Sequence, residues 1–160
     1  MKIDKVFIED FKNLRDFSID INETKLHTVL LGQNAAGKSN FIEAIVLIFR
    51  DLDHERETIF NYQIEYRCSS NYIKAIGGPN VKGTYQLYLG KEENNVIVYQ
   101  TKPLSKKLFK EDKDSYLPKH VFSYYSGISN RLLEYFDRHQ IRFRDDLLKG
   151  IDHPIRKLFY

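Results

Sequence analysis

The residues with the clearest capacity for chemistry are GQNAAGKSN, 32–40, which stand between two apolar runs, LHTVLL (26–31) and FIEAIVLIF (41–49). Their spacing satisfies GxxxxGK[ST], a pattern whose chemistry is phosphate recognition. Backbone N–H groups of such a turn point at phosphate oxygens, and the N-terminal end of the following helix adds partial positive charge. On this reading Gly32 opens the turn and Gly37 lets the backbone come close to the phosphate. Lys38 reaches the β- and γ-phosphates and is the expected catalytic residue, while the Ser39 hydroxyl is the expected Mg²⁺ ligand. The expected nucleotide contacts are Gly32, Gln33, Asn34, Ala35, Ala36, Gly37, Lys38, Ser39 and Asn40. The alternative, a strand-to-helix turn with an incidental lysine, leaves Lys38 and Ser39 unexplained.

A phosphate loop needs a strand to deliver it and a helix to receive it. LHTVLL is short and nearly all apolar, as a strand buried on both faces would be. KSNFIEAIVLIFRDL (38–52) has few polar positions and predicts a largely buried helix. Before them, KVFIEDF (5–11) and FSIDI (17–21) read as two strands joined by KNLRD, with Phe17, Ile19 and Ile21 on one face and Ser18 and Asp20 on the other. From residue 58 the period is two: Phe60, Tyr62, Ile64, Tyr66 and Cys68 alternate with Asn61, Gln63, Glu65 and Arg67. NYIKAI (71–76), GTYQLYL (83–89) and NVIVYQT (95–101) follow, separated by the turn-type linkers GGPNVKG and GKEENN, so an antiparallel meander is expected. The stretch 102–119 reads as a charged, weakly patterned loop, and HVFSYYSG (120–127) returns to strand character. Residues 129–150 read as a helix, with Leu132, Phe136, Phe143 and Leu147 along it and Gly150 as its stop. The last ten residues show no closing element, and there are no internal repeats.

The 160 residues fit one ordinary domain, and 42% hydrophobic residues with 11 Tyr and 11 Phe suffice for a core. No apolar run reaches eighteen residues, and MKIDKVFIED carries acids where a signal peptide needs an apolar stretch. Neither membrane insertion nor export is indicated, and the expected location is the cytoplasm. The single Cys68 allows neither an internal disulfide nor a cysteine metal cluster. A net charge of +3 is too small to argue for nucleic acid.

About thirty residues and two antiparallel strands precede the loop, whereas small GTPases and P-loop kinases usually open with the strand that feeds it. IEDFKNLRDFSIDI, a buried strand and then GQNAAGKSNFIEAI resemble the N-terminal lobe of ABC-type ATPases of the RecF, structural-maintenance-of-chromosomes (SMC) and OLD kind. Asn34-Ala35 in the loop, Glu43-Ala44-Ile45 on the helix, and HVFSYYSGISNRL look most like AAA-family ATPases of bacterial anti-phage and restriction-linked systems. The resemblance implies a fold, an α/β P-loop NTPase lobe of ABC-ATPase type. That lobe has a mixed sheet holding the loop, an antiparallel β meander beside it and a helical C-terminal segment. It divides as 1–57, 58–101, 102–119 and 120–160 within one lobe, 1–160.

The resemblance also implies an ATP site with Mg²⁺ shared between two heads, hence a homodimer or higher oligomer, with DNA as a partner by resemblance only. A Walker B motif, about four apolar residues ending in Asp-Glu, is missing. LLEYFD and FRDDLL are helical in period, and YSGIS (125–129) only echoes an ABC signature, fitting better at a junction between lobes. The chain is therefore read as the first lobe of a longer ATPase, able to bind ATP and turning it over poorly without a water-positioning acid. The rival expectation is a nucleotide-gated scaffold that organises a separate effector protein with little hydrolysis.

Lys12 and Asn13 lie in the turn where related heads bring a basic or polar side chain to the nucleotide, so they are further nucleotide contacts or, equally, a solvated hairpin turn. Histidines 27, 54, 120, 139 and 153 lack metal-ligand spacing. Lys102, Lys106, Lys107, Lys110, Lys113 and Lys119 are interrupted by Glu111, Asp112 and Asp114, the pattern of a solvated loop rather than a DNA surface.

Overall fold

The computed structural model describes residues 1–21, 25, 27–122, 132, 135, 137, 141, 144, 145 and 147–150, with the backbone of 157–159. The chain divides into two compact units, Met1–Leu117 and Pro118–Tyr160.

The first unit is built on a six-stranded sheet. β1 (Lys2–Phe11) and β2 (Leu14–Asp20) form the expected hairpin, paired Val6 to Ile19 and Phe11 to Leu14, so the turn between them contracts to Lys12 and Asn13. α1 (Lys38–His54) then crosses to the other edge of β1, where β3 (Tyr62–Cys68) pairs antiparallel, Val6 opposite Ile64. The meander continues through β4 (Asn71–Gly77), β5 (Tyr85–Glu93) and β6 (Val96–Tyr99). β5 runs past the expected end of its strand. Its turn to β6 is Asn94-Asn95, both with positive φ (52° and 62°), which suits a tight two-residue hairpin.

Period two decides which face is inside. Val6, Ile8, Ile64, Tyr66, Ile73, Ala75 and Leu87 are all buried, with Ile64 opposite Ala75 and Tyr66 opposite Ile73 in the ladder. α1 lies on this face: Phe49 meets Tyr66 edge-on at 5.2 Å between ring centroids, and Phe41 meets Phe17 at 5.5 Å. The helix is largely buried, as its sequence predicts, and it buries charge as well. Asp51, near its end, accepts from Arg50 Nε at 2.8 Å and from Arg56 Nε at 2.5 Å.

Four expectations are corrected. The sheet is antiparallel throughout rather than mixed. Of the strand expected at 26–31, the described residues 27–31 adopt no strand, and Val29 and Leu31 are 76% and 89% exposed. A strand of that composition is held when neighbours pair with both its edges, and among the described residues the six sheet strands pair only with one another. The charged stretch 102–119 is not simply a loop: it carries α2 (Lys106–Glu111) and α3 (Lys113–Tyr116), with Ser105 Oγ accepting from Leu108 N as the α2 cap. Two apolar residues that charge patterning hides, Phe109 and Leu117, are buried there. Finally, the last ten residues do hold an element, since β8 (Lys157–Phe159) pairs parallel with β7 (His120–Phe122) in the second unit.

The rest of the expected strand at 120–127, residues 123–127, lies outside the described residues, as do Phe136 and Phe143. In that unit Tyr135, Asp137, Ile141, Arg144, Asp145, Leu147 and Leu148 have helical backbone. Leu132 is buried, whereas Leu147 is more than half exposed. Gly150, at φ 67°, donates its N–H to Leu147 O at 3.1 Å, the helix-stopping geometry expected of it.

Candidate nucleotide-binding site

The loop leads directly into α1. Ala36 N donates to Gln33 O at 3.2 Å, closing a tight turn, and the helix begins at Lys38 with Phe41 N donating to Gly37 O at 2.8 Å. Two departures from right-handed geometry, one residue apart, shape it: Ala35 at φ 66° and Gly37 at φ 95°. Gly37 is also where the chain runs out of space, since a Cβ there would stand 2.9 Å from Leu14 Cδ2 and 3.0 Å from Asn13 Oδ1.

The first turn of α1 suits an anion. No side chain caps it and no acid lies in its first turn, so the N–H groups that every helix start leaves without intrahelical partners are available to a phosphate. Lys38 Nζ is drawn back over the loop, donating to Gly32 O at 2.5 Å and Gln33 O at 2.7 Å. Those carbonyls hold the ammonium over the loop. Ser39, beside it, is exposed. Gly32, Gln33, Asn34, Ala35 and Ala36 are exposed as well, and the buried Gly37 closes the loop from below. The residues singled out in the sequence thus form one contiguous surface.

The β1–β2 turn joins it. Asn13 Nδ2 donates to Ala35 O at 2.8 Å, and Asn40 Nδ2 donates to Asn13 Oδ1 at 2.5 Å. Lys12, also at positive φ (56°), does not stand in open solvent: its Nζ pairs with Glu43 Oε1 at 2.5 Å. Glu43 is fully buried, while the Lys12 side chain is 38% exposed. Glu43 is the residue that sequence reasoning passed over as a member of the site. Its signal was an acid within FIEAIVLIF, because a carboxylate carried into a core by its helix must find a cation.

The donor set fits Mg²⁺ bound with a nucleotide. Among the described residues no group of three His, Cys, Asp or Glu side chains could hold a metal by itself. A Mg²⁺ ion that keeps waters and takes phosphate oxygens needs little more from protein than one hydroxyl, and Ser39 has it.

The loop thus stands at the head of a largely buried helix. The AAA ATPase domain family matches residues 1–151, and the chain belongs to that family. The family is one of nucleotide-binding ATPases. No curated protein matches the chain. Among the described residues no helix is long and apolar enough to cross a membrane.

Proposed function

We propose that this chain binds MgATP on residues 32–40 as one lobe of a dimeric ABC-type ATPase of the RecF, SMC and OLD kind. Its setting is the cytoplasm, in bacterial DNA maintenance or anti-phage defence. The observation that carries this reading is the loop's geometry: a GxxxxGKS turn against the uncapped start of a 17-residue helix, with the Lys38 ammonium drawn over it and the Ser39 hydroxyl exposed. Lys12 and Asn13 enter the same reading as the turn that flanks the phosphates. Family membership supports ATP as the ligand, and the resemblance supports a second head and DNA as partners.

Hydrolysis asks for more than binding, because an acid must orient the attacking water. The sequence has no Walker B pair after the loop, so the chain by itself binds MgATP without efficient turnover. The same feature favours a second reading, in which nucleotide binding gates a scaffold and a separate effector protein acts.

Thermal melts test the binding. MgATP at a hundred times its Kd stabilises a folded protein by about 2.7 kcal/mol, so the melting temperature rises by several degrees, and Lys38→Ala loses the rise. A parent chain indifferent to MgATP, or a Lys38→Ala chain that responds equally, overturns the proposal. Steady multiple turnover by the 160-residue chain, abolished by Lys38→Ala, overturns the claim that it binds without efficient turnover.

A further inference from the structure

The helix that carries Lys38 and Ser39 also grips both residues of the β1–β2 turn. Glu43 takes Lys12, and Asn40 takes Asn13. Positions 40 and 43 are three apart and therefore neighbours on one face of α1. The grip then passes to the phosphate loop, because Asn13 donates to the carbonyl of Ala35, a residue held at φ 66°. Left-handed backbone is unfavourable for a residue with a Cβ, so Ala35 keeps that shape only while its surroundings hold it. Asn13 is one such hold, and Leu14, the first residue of β2, stands close enough to Gly37 that a Cβ there would lie 2.9 Å from its Cδ2.

Glu43 is the deepest member of this chain of contacts. Its side chain is fully buried, Phe41, Ala44, Val46 and Leu47 of the same helix are buried too, and an apolar residue there would serve packing alone as well or better. What an apolar residue could not do is bind the Lys12 ammonium.

We infer that Glu43 is a positioning residue of the phosphate site: it anchors Lys12, and through Lys12 it holds the β1–β2 turn so that Asn13 keeps the loop in its binding shape before the nucleotide arrives. The inference rests on the reading of residues 32–40 as a MgATP site. It assigns no contact between Glu43 and the nucleotide.

The test is the MgATP affinity of the full 160-residue chain, measured by titration calorimetry for the parent, Glu43→Gln, Lys12→Met, the double variant and Asn13→Ala. Each single change weakens binding about tenfold, equivalent to ~1.4 kcal/mol. The double variant binds no more weakly than the poorer single one, because both changes remove one contact. Lys12→Arg, which keeps a cation opposite Glu43, restores most of the affinity, whereas a simple loss of packing would not be rescued this way. Glu43→Gln binding as tightly as the parent overturns the inference, and so do single losses that multiply in the double variant. Should Glu43→Gln fail to fold, Asn13→Ala decides, since Asn13 is exposed and its loss removes neither Lys12 nor Glu43; parent-like affinity there is again fatal. Failure of the nucleotide reading looks different, because then the parent does not bind MgATP or Lys38→Ala binds it equally.

Discussion

At the scale of single residues, the loop's two framing glycines look equivalent in GQNAAGKS and are not. A Cβ on Gly32 would meet Ala36 Cβ at 3.4 Å, an ordinary contact, and Gly32 does not adopt the left-handed backbone. Gly37 does, at φ 95°, and a Cβ there would collide with Leu14 and Asn13. Gly37→Ala therefore costs about 1–2 kcal/mol of backbone strain and displaces the ends of the Leu14 and Asn13 side chains. The expected result is a lower melting temperature and weaker MgATP binding, with Gly32→Ala close to parent in stability. Equal melts for the two variants would show that the close approach is not felt. Spacing made both glycines legible as loop residues, but only the packing of Leu14 and Asn13 separates them. Glu43 teaches the same lesson, since its acid is visible in sequence and its partner, 31 residues away, is not.

At the scale of elements, α2 and α3 are tied to the far end of α1, away from the loop. Glu55, the left-handed C-cap of α1, accepts from Lys113 Nζ at 2.9 Å and Lys110 Nζ at 3.0 Å, and Lys113 also donates to Asp53 O at 2.6 Å. Beneath them Phe109 packs edge-on to Tyr85, 5.7 Å between centroids. Burial pushes the Glu55 carboxyl up, but the hydrogen bonds and charges of Lys113 and Lys110 outweigh it and hold the group below its ordinary 4.5. The sign follows: the folded form takes up this proton less readily than the unfolded chain. The stabilisation is thus complete above 4.5 and is lost as pH falls through the lowered value. Melts of parent and Glu55→Gln across this acid range should converge as pH falls, with the parent the more stable above it. Parallel curves would mean that the lysines contribute nothing through Glu55. Elsewhere burial, and then the Glu55 charge, push the Tyr85 hydroxyl up to about 12, so it stays protonated throughout this experiment. The charges of 102–119 made that stretch look solvated, because charge patterning reports the exposed face and says nothing of the one buried phenylalanine beneath it.

At the scale of the whole molecule, the apolar residues 29–31 just before the loop pair with no strand among the described residues. Leu31, 89% exposed, contributes no core, so Leu31→Gln should change the stability of this chain by no more than about 0.5 kcal/mol. A leucine in a strand buried on both faces would cost several-fold more, and a melt of the variant distinguishes these outcomes directly. By itself the sequence determined what neighbouring residues can encode: the phosphate-loop spacing, the largely apolar run of α1, the period-two strands and the turns between them. Those features arise from local sterics and from side-chain alternation along a few residues, so a short window contains their cause. Only the tertiary structure decided the all-antiparallel order β2-β1-β3-β4-β5-β6, the burial of Phe109, the exposure of Val29 and Leu31 and the clasp from Glu43 through Lys12 and Asn13 to Ala35. Burial and pairing are relations between residues far apart in the chain. An apolar strand pattern becomes a buried strand only where neighbouring edges are supplied, and a buried charge is tolerated only where folding brings its counter-ion.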